Sequence, residues 1–503
     1  MNDSDFLSYD PIRSPYWAKA RPSGRPCLRP LGYGLDHIWR DLHLCLVFAL
    51  KKVENKAMNA FIFKSATYDQ DKKLIKLGYA YEDGPAFMET VHFPGAKETL
   101  NDEELVALSK TMRGLHMAAG ISYYKAWCPK DIRVENHTLT KEEADFFYKF
   151  YLHGLGEFSV KNNIDLTKVI FFPVTSNHHL HASELELAGN CVVPIGGGKD
   201  SIVSLEVLKK ARHPLRMIAI NAGRPIKDVM EVAGRQASSG EIHIKRTLDA
   251  KLFDLNHEGV MNGHVPITGI LSFIMACGAI LYGYDSVVMS NEGSASEGNM
   301  EFAGIEINHQ YSKSLEFERD FEHYIRRFAL KNFHYFSLLR PLSETGVAVL
   351  FARQSQYFDR FKSCNRNFHI DAGARQYGWC CDCAKCQFVF LALSPFVPRE
   401  KLIMIFGKNM LDEPSQEDGF RELCGLKGHK PFECVGEIEE CQQIMKCLTT
   451  TEWADDLLVK KLAAELEIIK LERHELKDLA LGFKYDHNIP DPFLEHLNAF
   501  IRA

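Results

Sequence analysis

Gly196-Gly197-Gly198, followed by Lys199, Asp200 and Ser201, stands between the apolar run "CVVPI" and an amphipathic run that begins at Ser201. A strand that turns into a helix through such a corner leaves unpaired backbone N–H groups pointing outward, and the helix end adds positive charge. Glycine lets the backbone come close to a phosphate. Neither Gly-x-x-x-x-Gly-Lys-Ser/Thr nor Gly-x-Gly-x-x-Gly is present, so the two best-known phosphate loops are excluded. Asp200 would repel a phosphate, so it is assigned to magnesium or to holding the loop. A second polar loop, Asn291 to Gly298, follows the apolar "DSVVMS". Ligands of open α/β sheets sit at such strand ends, which places Asn291 and Glu292 at a nucleotide or its metal. Glu292 is a candidate base or magnesium ligand. His264 and His309 lie in polar strings, and imidazole titrates near working pH, so both are candidate proton carriers. Cys434 is a further candidate for proton transfer. Cys364, Cys380, Cys383 and Cys386 form a third constellation, the last three with two residues between neighbours. Four thiolates so spaced suit structural tetrahedral zinc, or an iron–sulfur cluster. Cys381 falls outside the rhythm and is left free.

These groups need elements to position them. The chain has 503 residues, too many for one ordinary core. A formal net charge of −6 argues against a general nucleic-acid surface. No secretory signal is visible, and the crowded cysteines read as ligands or reduced thiols, which points to the cytoplasm. The uncharged stretch Ile267–Tyr284 approaches the length of a membrane span. It begins after Pro266, contains Thr, Ser and Gly, and leads directly into a strand, so it reads as a buried helix. Residues 1–57, rich in Pro, Gly and Arg at 21–34, read as a loosely ordered extension. Residues 58–185 alternate as three strands and then show helices capped by Asn101 and Thr140, an α+β domain. From Cys191, strand and helix alternate, which implies a parallel sheet covered on both faces, over 186–400 with the cysteine cluster. Residues 401–503 read as helical. The overall class is α/β.

Gly196–Ser201 resembles the Ser-Gly-Gly-x-Asp-Ser loop of the PP-loop ATP pyrophosphatases (adenine nucleotide alpha hydrolase-like), with Gly196 in place of the first Ser. That resemblance implies ATP split between its α and β phosphates, Lys199 and Ser201 at phosphate, and Asn221 beside the adenosine. Longer strings go further: "SYYKA" (122–126), "LHGLGEF" (152–158), "NGHVPIT" (262–268), "SNEGSAS" (290–296), "NHQYSKS" (308–314), "FHYFSLLRPLSE" (333–344), "CNRNFHI" (364–370) and "HKPFECVGE" (429–437). Together they resemble the ATP-dependent UDP-N-acetyl-α-D-muramoyl-L-alanyl-L-glutamate epimerases, from about residue 60 to the end. The resemblance implies a UDP-N-acetylmuramoyl-dipeptide substrate, inversion of its L-glutamate, and ATP with Mg2+. Tyr123, Tyr124, Lys125, His153 and Arg340 are candidates to hold the sugar or the carboxylates. The cysteine arrangement also resembles that of the 7-cyano-7-deazaguanine synthases, so an amide-forming PP-loop enzyme is the alternative. The sequence does not fix the oligomeric state.

Overall fold

The computed structural model describes residues 58–177, 181–234, 240–298, 300–368, 377–428, 433, 435–466 and 470–503. The expected extension at 1–57 and the candidate Cys434 lie outside them. The strands are β1 (Ala60–Asp69), β2 (Leu74–Tyr81), β3 (Ala86–His92), β4 (Asp131–Val134), β5 (Cys191–Pro194), β6 (Leu215–Ile220), β7 (Glu241–Thr247), β8 (Ser286–Met289), β9 (Met300–Phe302), β10 (Ile305–Ile307) and β11 (His334–Ser337). Nine of them make one sheet, in the order β11-β8-β5-β6-β7-β3-β2-β1-β4. From β11 to β7 all neighbours are parallel. β3 joins the edge of β7 antiparallel, with Val91 opposite Arg246. The segments expected as separate domains at 58–185 and 186–400 therefore share one sheet. The remaining β9 and β10 form a small hairpin.

Side-chain alternation divides the parallel strands between two cores. Val192, Ile218, Val287 and Tyr335 point into the first. Their neighbours Val193, Met217, Val288 and Phe336 point into the second. Strands covered on both faces need continuous apolar runs, which is what these short segments carry. The helices used below are α1 (Asp102–Ala119), α2 (Lys141–Gly154), α3 (Gly156–Asn162), α4 (Lys199–Lys210), α5 (Ile267–Tyr282), α6 (Leu315–Phe328), α7 (Glu344–Ala352), α8 (Ala384–Leu393) and α9 (Ile438–Leu448). Leu115 of α1, Phe273 of α5 and Phe321 of α6 cover the first face. Leu205 of α4, Leu350 of α7, Phe388 of α8 and Ile444 of α9 cover the second. The C-terminal helices thus form the second cover of the same sheet.

Local chemistry explains the helix starts. Asn101 accepts from the Glu104 N–H at 2.8 Å, and Glu104 accepts from the Asn101 N–H at 2.9 Å. Thr140 and Glu143 repeat this capping box at α2. The helical run that Thr140 caps breaks at Leu155 (φ −98°, ψ 15°), and α3, which carries Glu157, starts at Gly156. α5 is buried along almost its whole length, as its apolar sequence implied. Among the described residues no helix is long and apolar enough to cross a membrane.

The junction of the two halves of the sheet is ionic. Arg246 of β7 donates from Nε to Glu89 of β3 at 2.7 Å, and from Nη2 to Ser122 at 3.1 Å. Both members of the pair are buried. Removing one partner of such a pair leaves an uncompensated charge, at a cost of about 3–5 kcal/mol. Glu89→Ala is therefore expected to lower the unfolding free energy by about that amount. Denaturant titration checks this, and a midpoint equal to wild type would show that the pair does not hold the junction.

Candidate functional site

The chain passes from β5 to β6 to β7 on one side, then returns to β8 on the other side of β5. Strand order reverses between β5 and β8, and their carboxyl ends flank the crevice where open α/β sheets bind ligands. The triglycine corner follows β5, and Asn291-Glu292 follows β8. Both open onto a cavity of about 400 Å³. Gly196, Gly198, Asp200, Ser201, Asn291 and Glu292 line it, with Ile218 to Ile220, Lys313, Glu344 and Lys385.

The corner is open. A Cβ at Gly196 would meet nothing within 4 Å. Gly197 has φ +84°, and a Cβ there would lie 3.1 Å from the Pro225 carbonyl carbon, so this position needs glycine. Gly198 caps α4 without any side-chain hydrogen bond to its first turn. An uncapped helix start facing a cavity suits an anion. The Ser201 hydroxyl accepts from the Gly196 N–H at 3.4 Å and donates to the Gly198 carbonyl at 3.3 Å, closing the corner.

A charge cluster lies beneath it. The Lys199 ammonium is buried between the carboxylates of Asp200 and Glu344. Burial would lower this ammonium, but Asp200, Glu344 and Glu292 outweigh burial and hold it raised. Burial works against the Asp200 carboxylate as well, yet Lys199, Lys385 and Lys313 keep it lowered. Glu344 is pushed up to about 7, chiefly by burial, against the pull of Lys199. Lys199 is buried and does not itself line the cavity, whereas both of its partners do. Lys313 and Lys385 are the lysines on its wall, and Lys385 lies 3.8 Å from Glu344.

Other expected residues are placed differently. Asn221 (φ +53°) spends its amide on the Arg246 backbone, donating at 2.8 Å and accepting at 2.9 Å. Arg340 is buried and braces two loops, donating to the Glu292 carbonyl at 2.7 Å, the Lys313 carbonyl at 2.6 Å and Glu318 at 3.0 Å. Tyr123 and Tyr124 are core residues whose hydroxyls bond backbone at Asp249 and Pro129. The loop after β8 is also held from the C-terminal end of the chain. A Cβ at Gly293 would fall 2.0 Å from the Tyr485 ring, and the Tyr485 hydroxyl donates to Glu437. Lys484 N–H donates to the Pro341 carbonyl at 2.9 Å, and Arg319 pairs with Asp486 at 2.7 Å.

A second polar group adjoins the cavity. Glu157 of α3, His264 before α5 and His309 after β10 bring one donor atom each within 4.8 Å of one another. His309 Nδ1 and Glu157 Oε2 are 2.5 Å apart, while Lys161 holds the other carboxylate oxygen. Burial would raise the Glu157 carboxyl, but the His309 bond and the neighbouring charges bring it down to about 2. Burial lowers His264 to about 3, with His309 adding to the effect and Glu157 opposing it. Lys125 is buried, bonds the Asn262 carboxamide oxygen, and is lowered by burial to about 8. Gln310, next to His309, lines the cavity, as does Thr268 in the first turn of α5.

The four cysteines converge on the second face of the sheet, their sulfurs all within 4.8 Å. Cys380 and Cys386 sulfurs are 3.7 Å apart. Tetrahedral Zn–S bonds of about 2.3 Å require sulfurs about 3.8 Å apart, so the donor set fits zinc. Cys383 also caps α8, accepting from the Cys386 N–H at 3.4 Å. Cys381 (φ +51°) turns away and donates to the Phe406 carbonyl at 3.2 Å.

Sequence reading missed Glu157, Glu344 and Lys385. Glu344 was visible as the acid after the Ser343 cap, Lys385 was hidden in the cysteine string, and Glu157 ended a helix expected to be continuous.

Comparison with known proteins covers most of the chain. Residues 52–338 match the model of the MurL N-terminal domain, and residues 360–477 that of the MurL C-terminal domain. A protein of Xanthomonas oryzae pv. oryzae is 39% identical over 444 residues, 88% of this chain and 97% of its own length. One of a Micromonospora species is 38% identical, over 88% of this chain and 98% of its own length. One of Salinispora tropica is 37% identical, over 81% and 89%. All three are named UDP-N-acetyl-alpha-D-muramoyl-L-alanyl-L-glutamate epimerase.

Proposed function

The chain belongs to the MurL family of UDP-N-acetyl-alpha-D-muramoyl-L-alanyl-L-glutamate epimerases, and from that premise we propose that it inverts the terminal L-glutamate of a UDP-N-acetylmuramoyl-L-Ala-L-Glu peptidoglycan precursor to D-glutamate, converting ATP to AMP and diphosphate. The parallel half of the sheet is read as a PP-loop domain. One observation supports this reading above the rest: the triglycine corner is open and lines a cavity of about 400 Å³ at the reversal of strand order. That volume falls within the roughly 300–1,000 Å³ of small-molecule clefts.

The chemistry asks for ATP. A Cα–H beside a carboxylate is very weakly acidic, because its removal adds negative charge to an anion. Adenylating the carboxylate removes that charge and lets the acyl group delocalise the carbanion. A base then takes the proton, reprotonation from the other face inverts the centre, and hydrolysis releases AMP. Gly196, Gly198 and Ser201 are assigned to the diphosphate, with Gly197 and Lys199 shaping the corner from behind. Lys313 and Lys385 supply positive charge to the phosphates. Asp200 and Glu292, with Asn291 beside them, would hold Mg2+, which screens phosphate charge during transfer. His264 and His309 are assigned to proton transfer. Asn221 is kept near the adenosine as a backbone tie behind Ile218 to Ile220. Cys364, Cys380, Cys383 and Cys386 would hold structural zinc. The cytoplasm is the expected compartment. The epimerase name of all three relatives does not favour the amide-forming alternative.

Incubation of purified protein with ATP and the dipeptidyl UDP-sugar in D2O is expected to yield AMP, D-glutamate after acid hydrolysis, and deuterium at Cα only when ATP is present. Exchange without ATP would refute the order of steps. AMP formed with an unrelated acid alone would revive the alternative.

A further inference from the structure

We propose that Tyr485 is a positioning residue that holds Glu292 on the wall of the cavity, an assignment that rests on the epimerase reading above. A Cβ at Gly293 would lie 2.0, 2.2 and 2.4 Å from three atoms of the Tyr485 ring, which are its nearest neighbours. The ring thus fills the space in which a side chain at 293 would begin. Gly293 is not among the glycines with positive φ, so the ring, and not the backbone, demands glycine here.

Glu292, the residue before it, is buried and lines the cavity. Its backbone is tied to the turn after β11. Arg340 Nη1 donates to the Glu292 carbonyl at 2.7 Å, and the Gly293 N–H donates to the Leu342 carbonyl at 3.0 Å. Ser294 Oγ donates to the Glu292 carboxylate at 3.1 Å. Ser294 belongs to the short 3₁₀ turn Gly293–Ser296, so the placing of that turn decides where the carboxylate points. A 3₁₀ turn has poor hydrogen-bond geometry of its own, so packing must hold it. Tyr485 supplies that packing.

The ring is itself anchored. Its hydroxyl donates to Glu437, the cap of α9. On either side of it, the Lys484 N–H donates to the Pro341 carbonyl at 2.9 Å, Asp486 pairs with Arg319 of α6 at 2.7 Å, and Asn488 bonds Glu322 of the same helix. α6 covers the first face of the sheet and α9 the second. The strap from 484 to 488 therefore joins both covers beyond the carboxyl ends of β8 and β11, and rests one ring on the loop between them. Tyr485 is half-buried, so its loss admits water there and leaves no hole in either core.

The test compares Tyr485→Ala, Tyr485→Phe, Glu292→Gln and the double variant Tyr485→Ala/Glu292→Gln, each assayed for AMP formed from ATP and the dipeptidyl UDP-sugar. A group displaced by about 1 Å from its working position costs about 10²-fold in turnover, and Tyr485→Ala lowers kcat by about that factor. KM for ATP stays within about threefold, because the triglycine corner is untouched. Tyr485→Phe keeps the ring on Gly293 and recovers most of the rate. Added to Glu292→Gln, Tyr485→Ala costs no more than about twofold further, because residues that act through one group are not additive. Hydrogen exchange of the protein without nucleotide gives a second readout. The amides of 291–298 exchange at least about tenfold faster in Tyr485→Ala, while those of β8 keep their wild-type rates. Full additivity in the double variant overturns the assignment, as does unchanged exchange in the loop. Exchange raised equally in β8 overturns it in favour of a general loss of stability. Wild-type turnover in Glu292→Gln overturns it and leaves the epimerase reading standing. No AMP from the wild type with that substrate defeats the epimerase reading, and this assignment with it.

Discussion

Asp200→Asn and Ser201→Ala are each expected to abolish AMP release while leaving a folded protein. Asp200 is tied to Lys199 beneath the corner and also faces the cavity. Neutralising it removes a magnesium ligand of the proposed site and leaves Lys199 paired to Glu344 alone. Ser201 closes the corner through Gly196 and Gly198. Loss of one preorganised group that acts on developing charge costs about 10²–10³-fold in turnover, and the double substitution more. Folding survives because the Lys199–Glu344 pair and the α4 packing remain. AMP measured by chromatography, with thermal unfolding as the control, checks this. Normal turnover in both variants would remove the corner from the mechanism.

Cys383→Ser is expected to give largely insoluble protein depleted of metal. Structural zinc contributes about 10–16 kcal/mol in small zinc-binding peptides, comparable with the about 5–15 kcal/mol that holds a whole domain folded. Cys383 also caps α8, whose buried residues enter the core of the second sheet face. Its loss therefore undermines the cover that carries Lys385 to the cavity. Cys381→Ser, whose sulfur points away from the cluster, should retain metal and solubility. Elemental analysis of the soluble fractions decides, and would separate zinc from iron. A soluble Cys383→Ser protein with undiminished metal would remove it from the ligand set.

What could be read without coordinates was local. The Asn101 and Thr140 caps, the buried α5 and the cysteine spacing each depend on residues close together in the chain, so residue types alone locate them. The triglycine corner was legible for the same reason, because a loop between strand and helix declares its own geometry. The charge cluster was not. Lys199 meets Glu344 across 145 residues, and His309 meets Glu157 across 152. No periodicity couples positions so far apart. The joining of β3 to β7 is equally non-local, and turns the expected succession of domains into one sheet with two covers. Asn221 shows the opposite problem. Its position after β6 was read correctly, but the left-handed backbone there commits its amide to β7.

The packing of Tyr485 on Gly293 has a consequence for the order of synthesis. The corner at 196–201 and the loop at 291–298 leave the ribosome long before residue 485 does. Until then the loop carrying Glu292 lacks the ring that rests on it, and the Pro341 carbonyl lacks its partner at Lys484. The nascent chain therefore carries an unfinished crevice from the emergence of that loop until Lys484 and Tyr485 have followed it.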